Sequence, residues 1–573
     1  MTKPQPLIIN EWSKGIGDST STGFGMLKKV DIESFPGAVK VKNKVFDGAI
    51  LITSGETTFK YDDLICGRAV NSLITATETA IGYTYNGAAV TFSTTNTLPA
   101  EITSGTIYFL KYNTTKNYEI GTTLTMGTTL SLSGNGTGTH TVTAVPMGDI
   151  KHIVKDTRTG YYFAIDDDGR VWLSKDTGTT FRLLTGNTIG TAGSGKGLVL
   201  FHTSDNLKTY LFAFAGDKIN VINVYGDTEI DTPSWTNGWK TLNSGAGSTN
   251  SHHAIVGEDN NIYFCDDRYV GMIRETPGDI FDPADAASFT FNSQALDLPQ
   301  GEIANWLDEY GIDLWVAGLN RYKIYSWDRI SDSFGFTLTV PERGVYHIKN
   351  IGNIVYILAG QKGNVYYSLG SSVKLFKKIP WSVLNPIYTQ LTNVMSWSGI
   401  GSSGGSLLVP VSSNGGTGSS SGVFRIYEDG RILLDQQTSS GVAITAIYAE
   451  DDWYIMGYAG GIDHHVSTIY SAYEGVIESA LYRVGNKTEK AMYTDIEVQI
   501  GKTISTGTSN IRIKYRTDLR SDFADFPNGA VAFSLSSTAT SFSASVGLTK
   551  IENIQLQIEL DGAVELLEVR LTP

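Results

Sequence analysis

Short apolar segments separated by polar or glycine-rich turns recur through the middle of this chain. In the clearest case, the apolar runs Tyr161–Ile165 and Arg170–Leu173 flank the turn Asp166–Gly169. Two such runs around an Asp/Gly turn are typical of a β-hairpin. Helical periodicity is scarce, and its best candidate, Gly301–Tyr310, is short and lies between strand signals. The pattern predicts an all-β protein.

The hairpins repeat at a regular interval. Successive first strands begin 41 to 52 residues apart. A repeat of this length in an all-β chain is the sequence signature of a β-propeller. We therefore expect about seven blades, with six or eight as the alternatives. The seven starting positions are Tyr161, Tyr210, Ile262, Leu314, Val355, Leu407 and Trp453.

The pattern changes at three places, which suggests four segments. Residues 47–70 and 148–477 are assigned to the propeller, and the Thr-rich residues 71–147 to an inserted small β-module, or alternatively to an elaborated blade loop. Residues 478–573 contain six strands of alternating polarity without the longer repeat, which predicts a C-terminal β-sandwich. Residues 1–46 read as an extended N-terminal arm. Its polar, glycine-rich sequence cannot form a core, so we expect it to pack on a neighbouring subunit rather than on its own domain.

The first hairpin is followed by a match to the Asp-box, S-x-D-x-G-x-T-F, a turn that recurs between propeller strands. Its polar side chains can bond to the backbone of the turn, its glycine permits positive φ, and its phenylalanine can anchor the turn in the core. We expect a purely structural role. The matching residues are Ser174, Asp176, Gly178, Thr180 and Phe181.

Composition narrows the possible partners. Lys and Arg number 44 against 58 Asp and Glu, so the net charge is 44 − 58 = −14. A surface of this sign disfavours specific nucleic-acid binding, although DNA could pass through a wide channel. The cysteines Cys66 and Cys265 form neither a disulfide framework nor a metal motif, and buried free thiols are expected. The N-terminus lacks an apolar signal segment, which predicts synthesis in the cytoplasm without Sec export and no stable membrane insertion.

No catalytic or metal-binding constellation is evident, and no cofactor is expected. A sialidase would need an arginine cluster, and the Arg-Ile-Pro signature is missing. His252-His253 and His464-His465 are interpreted as solvated loop histidines, because neighbours on a strand point to opposite faces. The turn Asp166–Gly169 lacks the spacing of a calcium loop and is interpreted as a tight turn. We therefore predict that the protein is not an enzyme.

Contact residues are the remaining candidates. In the loop-like SWTNGW segment, Trp235 and Trp239 are predicted to contact a ligand or a partner. The arm offers four candidate interface residues, which are Trp12, Gly15, Phe24 and Phe35.

Several stretches resemble propeller-type structural proteins of bacteriophage tails, of the nozzle and tail-accessory (tail stabilisation) kind found in short-tailed phages. The inserted module resembles a small β-domain common in phage tail proteins, chiefly in Val90–Leu110 and Gly134–Val142. The other stretches that carry the resemblance are Lys14–Asp18, Gly23–Gly25, Val30–Ile32, Phe35–Gly37, Lys323–Arg329 and Ile511–Leu519.

The resemblance implies a virion protein that forms a ring of copies, commonly six, below the portal and adaptor. Such a ring encloses the DNA exit channel, through which DNA passes without specific binding, and carries fibres or spikes. Two other functions stay open. One is a receptor- or glycan-binding tail protein used in host attachment, with residues 71–147 or the loop 231–251 as the contact. The other is a glycan-degrading propeller enzyme.

Overall fold

We describe the chain from a computed structural model. The structure describes residues 6–9, 27–30, 32–35, 38–41, 64–66, 73–76, 88–114, 117–122, 130–133, 136–137, 140–145, 147–175, 181–184, 195–225, 235–379, 394–414, 421–428, 430, 432–437, 443–450, 453–458, 461–466, 474–479, 481–485, 489–500, 510–518, 521–534, 539–561 and 565–573. Every regular element among these residues is a β-strand, as predicted. No helix that could span a membrane occurs in this part of the chain.

Seven antiparallel sheets follow one another along the central part of the chain, in sequence order. We call them blades 1 to 7 and letter the strands A to D outward from the hub. Blade 1 contains Ile150–Lys155, Tyr162–Asp166, Val171–Ser174 and Arg182–Leu183. Blade 2 contains Lys196–His202, Thr209–Ala215, Lys218–Asn223 and Thr236–Thr241. Blade 3 contains Ala254–Val256, Ile262–Asp266, Tyr269–Glu275 and Phe289–Asp297. Blade 4 contains Ala304–Tyr310, Asp313–Gly318, Lys323–Trp327 and Thr337–Thr339.

The remaining three blades complete the series. Blade 5 contains Val345–Ile351, Ile354–Ala359, Asn364–Ser368 and Val373–Lys378. Blade 6 contains Val394–Trp397 and Gly401–Ser403 on its inner side, then Ser406–Asn414, Ser421–Ile426 and Ile432–Gln437. Blade 7 contains Ile444–Ala449, Trp453–Tyr458 and Gly461–Val466.

The seven sheets close into a ring, because the inner strand of blade 7 lies against the inner strand of blade 1. At this junction the Lys155 ammonium and the Glu450 carboxylate are 2.5 Å apart. The rings of Tyr162 and Tyr448 pack edge to face beside them. The seven-bladed propeller prediction is confirmed, and all seven predicted starting positions lie on, or one residue before, the second strand of a blade.

The inserted module forms a six-stranded sheet of its own. The module packs on blade 1, since Ala89, Phe109 and Val145 belong to the same buried cluster as Trp172. This sheet begins earlier than the predicted boundary at residue 71. In spatial order its strands are His140–Ala144, Ala88–Thr94, Tyr108–Thr114, Asn117–Gly121, Leu73–Ala76 and Leu64–Cys66.

The C-terminal segment forms two sheets that contain all six predicted strands. The first sheet has the order Ile32–Phe35, Ala38–Val41, Glu565–Thr572, Ala491–Ile500 and Ser541–Ile551, with Leu7–Ile9 also paired to Glu565–Thr572. The second has the order Leu27–Val30, Glu474–Ser479, Asn553–Asp561, Asn510–Arg516 and Val531–Ser534, with Tyr482–Arg483 also paired to Asn553–Asp561. The predicted boundary at residue 478 therefore lies inside a sandwich strand.

The described strands of the N-terminal arm belong to this sandwich, which corrects the expectation that the arm packs on a neighbour. Leu7 is paired with Leu571, and Val39 with Leu566. Val30 is paired with Ile477 in the other sheet. The physical reason is that the edges of the sandwich present unpaired backbone groups, which these short strands satisfy within the same chain.

Propeller and sandwich share one hydrophobic core. A single cluster of buried side chains contains Leu358 of blade 5, Leu407 of blade 6, and Ile496 and Ile558 of the two sandwich sheets. In addition, strand Ile32–Phe35 lies against the outer strand of blade 6. Because this interface consists of close-packed apolar side chains, the sandwich and the propeller form one stiff unit.

A carboxylate connects the loop entering a blade to the turn between its B and C strands in blades 1, 3 and 4, and to strand C in blade 5. In blade 1, the buried Asp166 carboxylate accepts hydrogen bonds from the Gly148 and Arg170 backbone N–H groups and from Trp172 Nε1, at 2.8 to 3.1 Å. Asp266, Glu302 and Glu342 make comparable bonds in the other three. The turn at 166–169 is the predicted tight turn, with Gly169 at φ 79°. Burial raises the pKa of Asp166.

We expect Asp166→Ala to lower the free energy of unfolding by about 3 kcal/mol, because it leaves two backbone donors and an indole N–H buried without an acceptor. Asp168→Ala, in the same turn, is the matched control. Asp168 makes only a partly exposed ion pair with Arg170, so its loss should cost less than about 1 kcal/mol. Urea denaturation measures both values. Equal losses in the two variants would contradict the role of Asp166 in connecting the entering loop to the B–C turn.

Candidate functional site at the propeller hub

The innermost strands carry a repeated irregularity at the hub. In blades 1, 4, 5 and 7 the pairing register shifts by one residue near the start of strand A. The extra residue is Lys151, Asn305, Tyr346 or Thr445, and each of them lines the central cavity together with the residue that follows it. In a regular strand successive side chains alternate between faces, whereas a bulge can direct two in succession to one side.

These bulged strands enclose a cavity of about 390 Å³. Aromatic rings dominate one side of it. Trp306 stacks on His253 with ring centroids 3.6 Å apart and meets His347 edge to face at 4.3 Å. His152 lies 5.5 Å from His253. Lys151 and Lys196 also line the cavity, and none of the described lining residues is a carboxylate.

Side chains from one inner strand bond to the backbone of the next blade at four of the seven junctions. His152 Nδ1 accepts a hydrogen bond from the Leu198 N–H at 2.9 Å, and His253 Nδ1 accepts one from the Leu307 N–H at 3.1 Å. Asn305 Nδ2 donates to the Tyr346 carbonyl at 2.6 Å. His347 Nε2 contacts the Trp397 carbonyl at 3.4 Å.

At the other three junctions a glycine allows a close approach of the two blades, beside a polar contact made by His252, Ser412 or Lys155. A Cβ atom on Gly197 of blade 2 would lie 1.9 Å from the His252 carbonyl oxygen of blade 3. A Cβ atom on Gly401 would lie 2.9 Å from Ala449 of blade 7, and one on Gly457 would lie 2.5 Å from Ile150 of blade 1. The blades approach so closely here that no side chain fits between them.

Burial keeps the hub imidazoles neutral at ordinary pH. It lowers the pKa of both His152 and His347 to about 4. Burial lowers the pKa of His253 well below its usual value, and the two neighbouring histidines add to the effect. Burial also lowers the pKa of Lys196 to about 8. The described hub thus combines neutral acceptors with two lysines, an arrangement suited to holding blades together.

The sequence-predicted site residues that the structure describes lie in blade 1, in blade 2 and in the sandwich. Ser174 and Phe181 of the Asp-box are buried in blade 1, and Phe181 belongs to its core cluster. Phe35 ends a strand and is paired with Ala38. Six further predicted residues lie outside the described part of the chain: Asp176, Gly178, Thr180, Trp12, Gly15 and Phe24.

Trp235 and Trp239, predicted to lie in a loop and contact a ligand or partner, pack against other parts of the propeller. Trp239 lies in the outer strand Thr236–Thr241, its Nε1 donates to the Pro283 carbonyl at 2.9 Å, and its ring packs against Phe281 and Phe289. Trp235 precedes this strand and packs against the core cluster of blades 1 and 2. The loop assignment of Trp239 was wrong, because Gly238 forms a bulge at φ 59° inside a strand.

The interpretation of His252 and His253 as solvated loop histidines is wrong. The two side chains point to opposite sides, as predicted, but both are buried. His252 bonds to the Gly216 and Cys265 carbonyls. Cys265 is a buried free thiol, as predicted. In the part of the chain that the structure describes, no group of three or more His, Cys, Asp and Glu side chains is placed to hold a metal ion.

The sequence pattern did not predict His152, Trp306, His347 or Lys196. For the first three, the available signal is an aromatic or histidine side chain two residues after a buried aliphatic one, eight or nine residues before a hairpin. It occurs as Ile150-Lys151-His152, Ala304-Asn305-Trp306 and Val345-Tyr346-His347.

Comparisons with known proteins bear on the fold alone. No protein-family model matches the chain, and a search of curated proteins finds no match. Among solved structures, the β-propeller domain of Myceliophteria thermophila Cps50 (Swd1) is 12% identical, with a TM-score of 0.38, over 56% of this chain and 99% of that one. The WD40 β-propeller domain of Doa1 is 12% identical, with a TM-score of 0.37, over 56% and 94%. The computationally designed protein Ika8 is 13% identical, with a TM-score of 0.34, over 70% and 100%. By its own sheets, the chain is a seven-bladed β-propeller protein with an inserted β-module and a β-sandwich.

We expect Gly197→Ala to destabilise the protein by about 2 to 3 kcal/mol, because the added methyl group would overlap the His252 carbonyl of the next blade. Gly245→Ala is the matched control. Its methyl group would meet no atom within 4 Å, so the change should stay within about 0.5 kcal/mol. Thermal unfolding of both variants tests this close approach, and an unchanged melting temperature for Gly197→Ala would refute it.

We also expect stability to fall between about pH 6.5 and pH 4 through the hub histidines. The folded-state pKa of His152, about 4, lies below its unfolded value of about 6.5, so the unfolded chain binds the proton first as the pH falls. The loss from His152 at pH 4.5 is about 2.5 kcal/mol. His152→Asn keeps an acceptor for the Leu198 N–H but does not titrate. The difference in unfolding free energy between pH 7.5 and 4.5 should therefore be smaller in this variant, and an equal difference would contradict the assignment.

Proposed function

We propose that the chain is a structural subunit of a bacteriophage tail. In this proposal copies assemble into a ring below the portal and adaptor, which surrounds the DNA exit channel and carries fibres. The phage assignment is supported by the sequence resemblance. The assembly role is supported by the distribution of exposed apolar side chains on the propeller.

One face of the propeller carries most of these side chains. In each blade the A–B and C–D connections that the structure describes lie on the same face, because consecutive strands are antiparallel. Seven of the ten large hydrophobic side chains exposed among the described residues lie in these connections, on blades 2 to 5. They are Leu207, Tyr225, Ile280, Ile312, Ile330, Phe336 and Leu369. We call this surface the apolar face.

The apolar face is suited to contact with a second copy of the chain. Ile312 and Ile330 are 87% and 89% exposed. Exposure of such apolar side chains to water is unfavourable in a monomer, and their burial in an interface would be favourable. Monomers usually scatter such residues, and concentration on one face is typical of an interaction surface. This observation carries the proposal of an assembled subunit.

The hub supports a channel between copies rather than through one propeller. A cavity of about 390 Å³ has the size of a small-ligand site and is far too small for a DNA duplex. The shared core of propeller and sandwich supports a stiff building block, since relative movement would disrupt buried packing. A net charge of −14 would keep passing DNA from adhering to the channel wall.

We expect the purified full-length chain to form a closed ring with an opening wide enough for duplex DNA, commonly sixfold, in electron micrographs and sedimentation velocity. Ile312→Asp should weaken assembly by at least tenfold in the concentration required, because burying a charge at this face is unfavourable. The matched control is Leu375→Asp, which alters a 57% exposed aliphatic residue on the outer strand of blade 5. Assembly unaffected by Ile312→Asp would contradict the use of this face.

Other outcomes distinguish the alternatives. A threefold assembly that binds cells or polysaccharide would favour a receptor-binding tail protein, and turnover of host polysaccharide would overturn the structural role. An antiserum against the purified chain should label one end of tailed particles from a culture that carries the gene. Absence of the chain from such particles would refute the phage assignment.

A further inference from the structure

A cationic pocket lies along strand C of blade 4. Its arginines come from the end opposite the apolar face, and its Phe334 comes from the C–D connection. Its lining includes the B–C turn residues Arg321 and Tyr322, Lys323 of strand C, and Arg343 from the loop that leads to blade 5. The pocket has a volume of about 680 Å³, which is in the range of small-ligand sites. No carboxylate belongs to its lining.

The three cations are held by single hydrogen bonds to neutral groups. Arg321 Nη2 donates to the Gln300 carbonyl at 2.9 Å, and Arg343 Nε donates to the Asn320 carbonyl at 2.9 Å. Lys323 Nζ donates to Thr339 Oγ1 at 2.7 Å. These bonds orient the side chains but leave most of their N–H donors for another acceptor.

None of these three cations pairs with a carboxylate within the described residues, unlike other cations of the same propeller. Arg329 of the same blade contacts both Asp259 and Glu309, and Arg268 pairs with Asp297. The buried Glu302 contacts the lining residue Tyr325 but does not itself line the pocket. Its carboxylate already accepts hydrogen bonds from the Tyr325 hydroxyl and the Asn320 N–H. Three converging positive charges without counterions are unexpected in a chain with a net charge of −14.

Aromatic surface completes the pocket. Tyr322 is 48% exposed at its rim, and Phe334 packs edge to face on Tyr325 at 4.9 Å within it. Aromatic rings beside guanidinium groups provide a flat apolar surface next to charge-assisted donors. Sugar rings that bear carboxylates present the complementary features, an apolar C–H face and an anion that guanidinium groups bind in a bidentate manner.

We infer that this pocket binds an acidic saccharide, a short segment of a carboxylate-bearing glycan. A nucleic acid fits less well, because a long polyphosphate would extend beyond the three cations and be repelled by a chain with a net charge of −14. This site is separate from the residues 71–147 and 231–251 considered for host contact, and it does not depend on ring formation.

The test uses the full-length chain and isothermal titration calorimetry with three probes. These are an oligogalacturonate hexamer, the neutral maltohexaose and a hexathymidylate oligonucleotide. We expect binding of the uronate probe, weakened by added salt, and no detectable binding of the neutral sugar. Binding of the oligonucleotide as tight as that of the uronate would overturn the saccharide assignment, and lack of uronate binding at millimolar concentration would overturn the site.

Variants locate the binding. Arg321→Gln/Arg343→Gln should weaken uronate binding at least tenfold, about 1.4 kcal/mol, since it removes charge-assisted donors. Both side chains are exposed, so the variant should remain folded, which its melting temperature checks. Lys374→Gln/Lys378→Gln removes the same charge from exposed positions on blade 5 and should leave the affinity within twofold. An equal loss in both double variants would mean that net charge alone attracts the glycan, which would refute the pocket.

Discussion

The structure depends on the close approach of backbones at the hub. Seven twisted sheets can surround one axis only if the inner strands of neighbouring blades pack closely against one another. Each junction achieves this with a side chain that bonds to the next blade, with a glycine that leaves room for it, or with both. His152 is an example of the first solution and Gly197 of the second. Because these contacts are local, the ring needs no repeated sequence motif, and the blades can differ from one another at most other positions.

This constraint explains which parts of the fold the sequence could predict. The second strands of blades 1 to 5 are almost entirely buried on both faces, as in Tyr162–Asp166 and Thr209–Ala215. They appear in the sequence as continuous apolar runs, and seven such runs at a regular interval are sufficient to predict the propeller. The inner strands are less apparent because one side faces the hub cavity and a bulge interrupts their alternation. Their site residues, such as Trp306, therefore could not be identified from polarity alone.

Long-range pairing was the other limit. Leu7 is paired with Leu571, and no local feature of either strand specifies a partner more than five hundred residues away. A short strand that completes a distant sheet has too few apolar residues to form a core of its own. For this reason the sequence predicts that the N-terminal segment packs on a neighbouring subunit. Trp239 illustrates a smaller version of the same problem. Asn and Gly beside it are typical of a loop, yet they form a bulge in an outer strand whose aromatic face is covered by Phe281 and Phe289.

The antiparallel order of the blades separates two kinds of chemistry that one acidic chain would otherwise mix. The connections on one face carry exposed aliphatic side chains such as Ile312 and Ile330, whereas the opposite end carries the carboxylates that bind the loops and the arginines of the blade 4 pocket. Because the described A–B and C–D connections lie on the same side, an apolar substitution in any of them adds to the same face. The two ends can therefore change independently, so that one is available for contact with other copies while the other keeps Arg321 and Arg343 accessible to solvent.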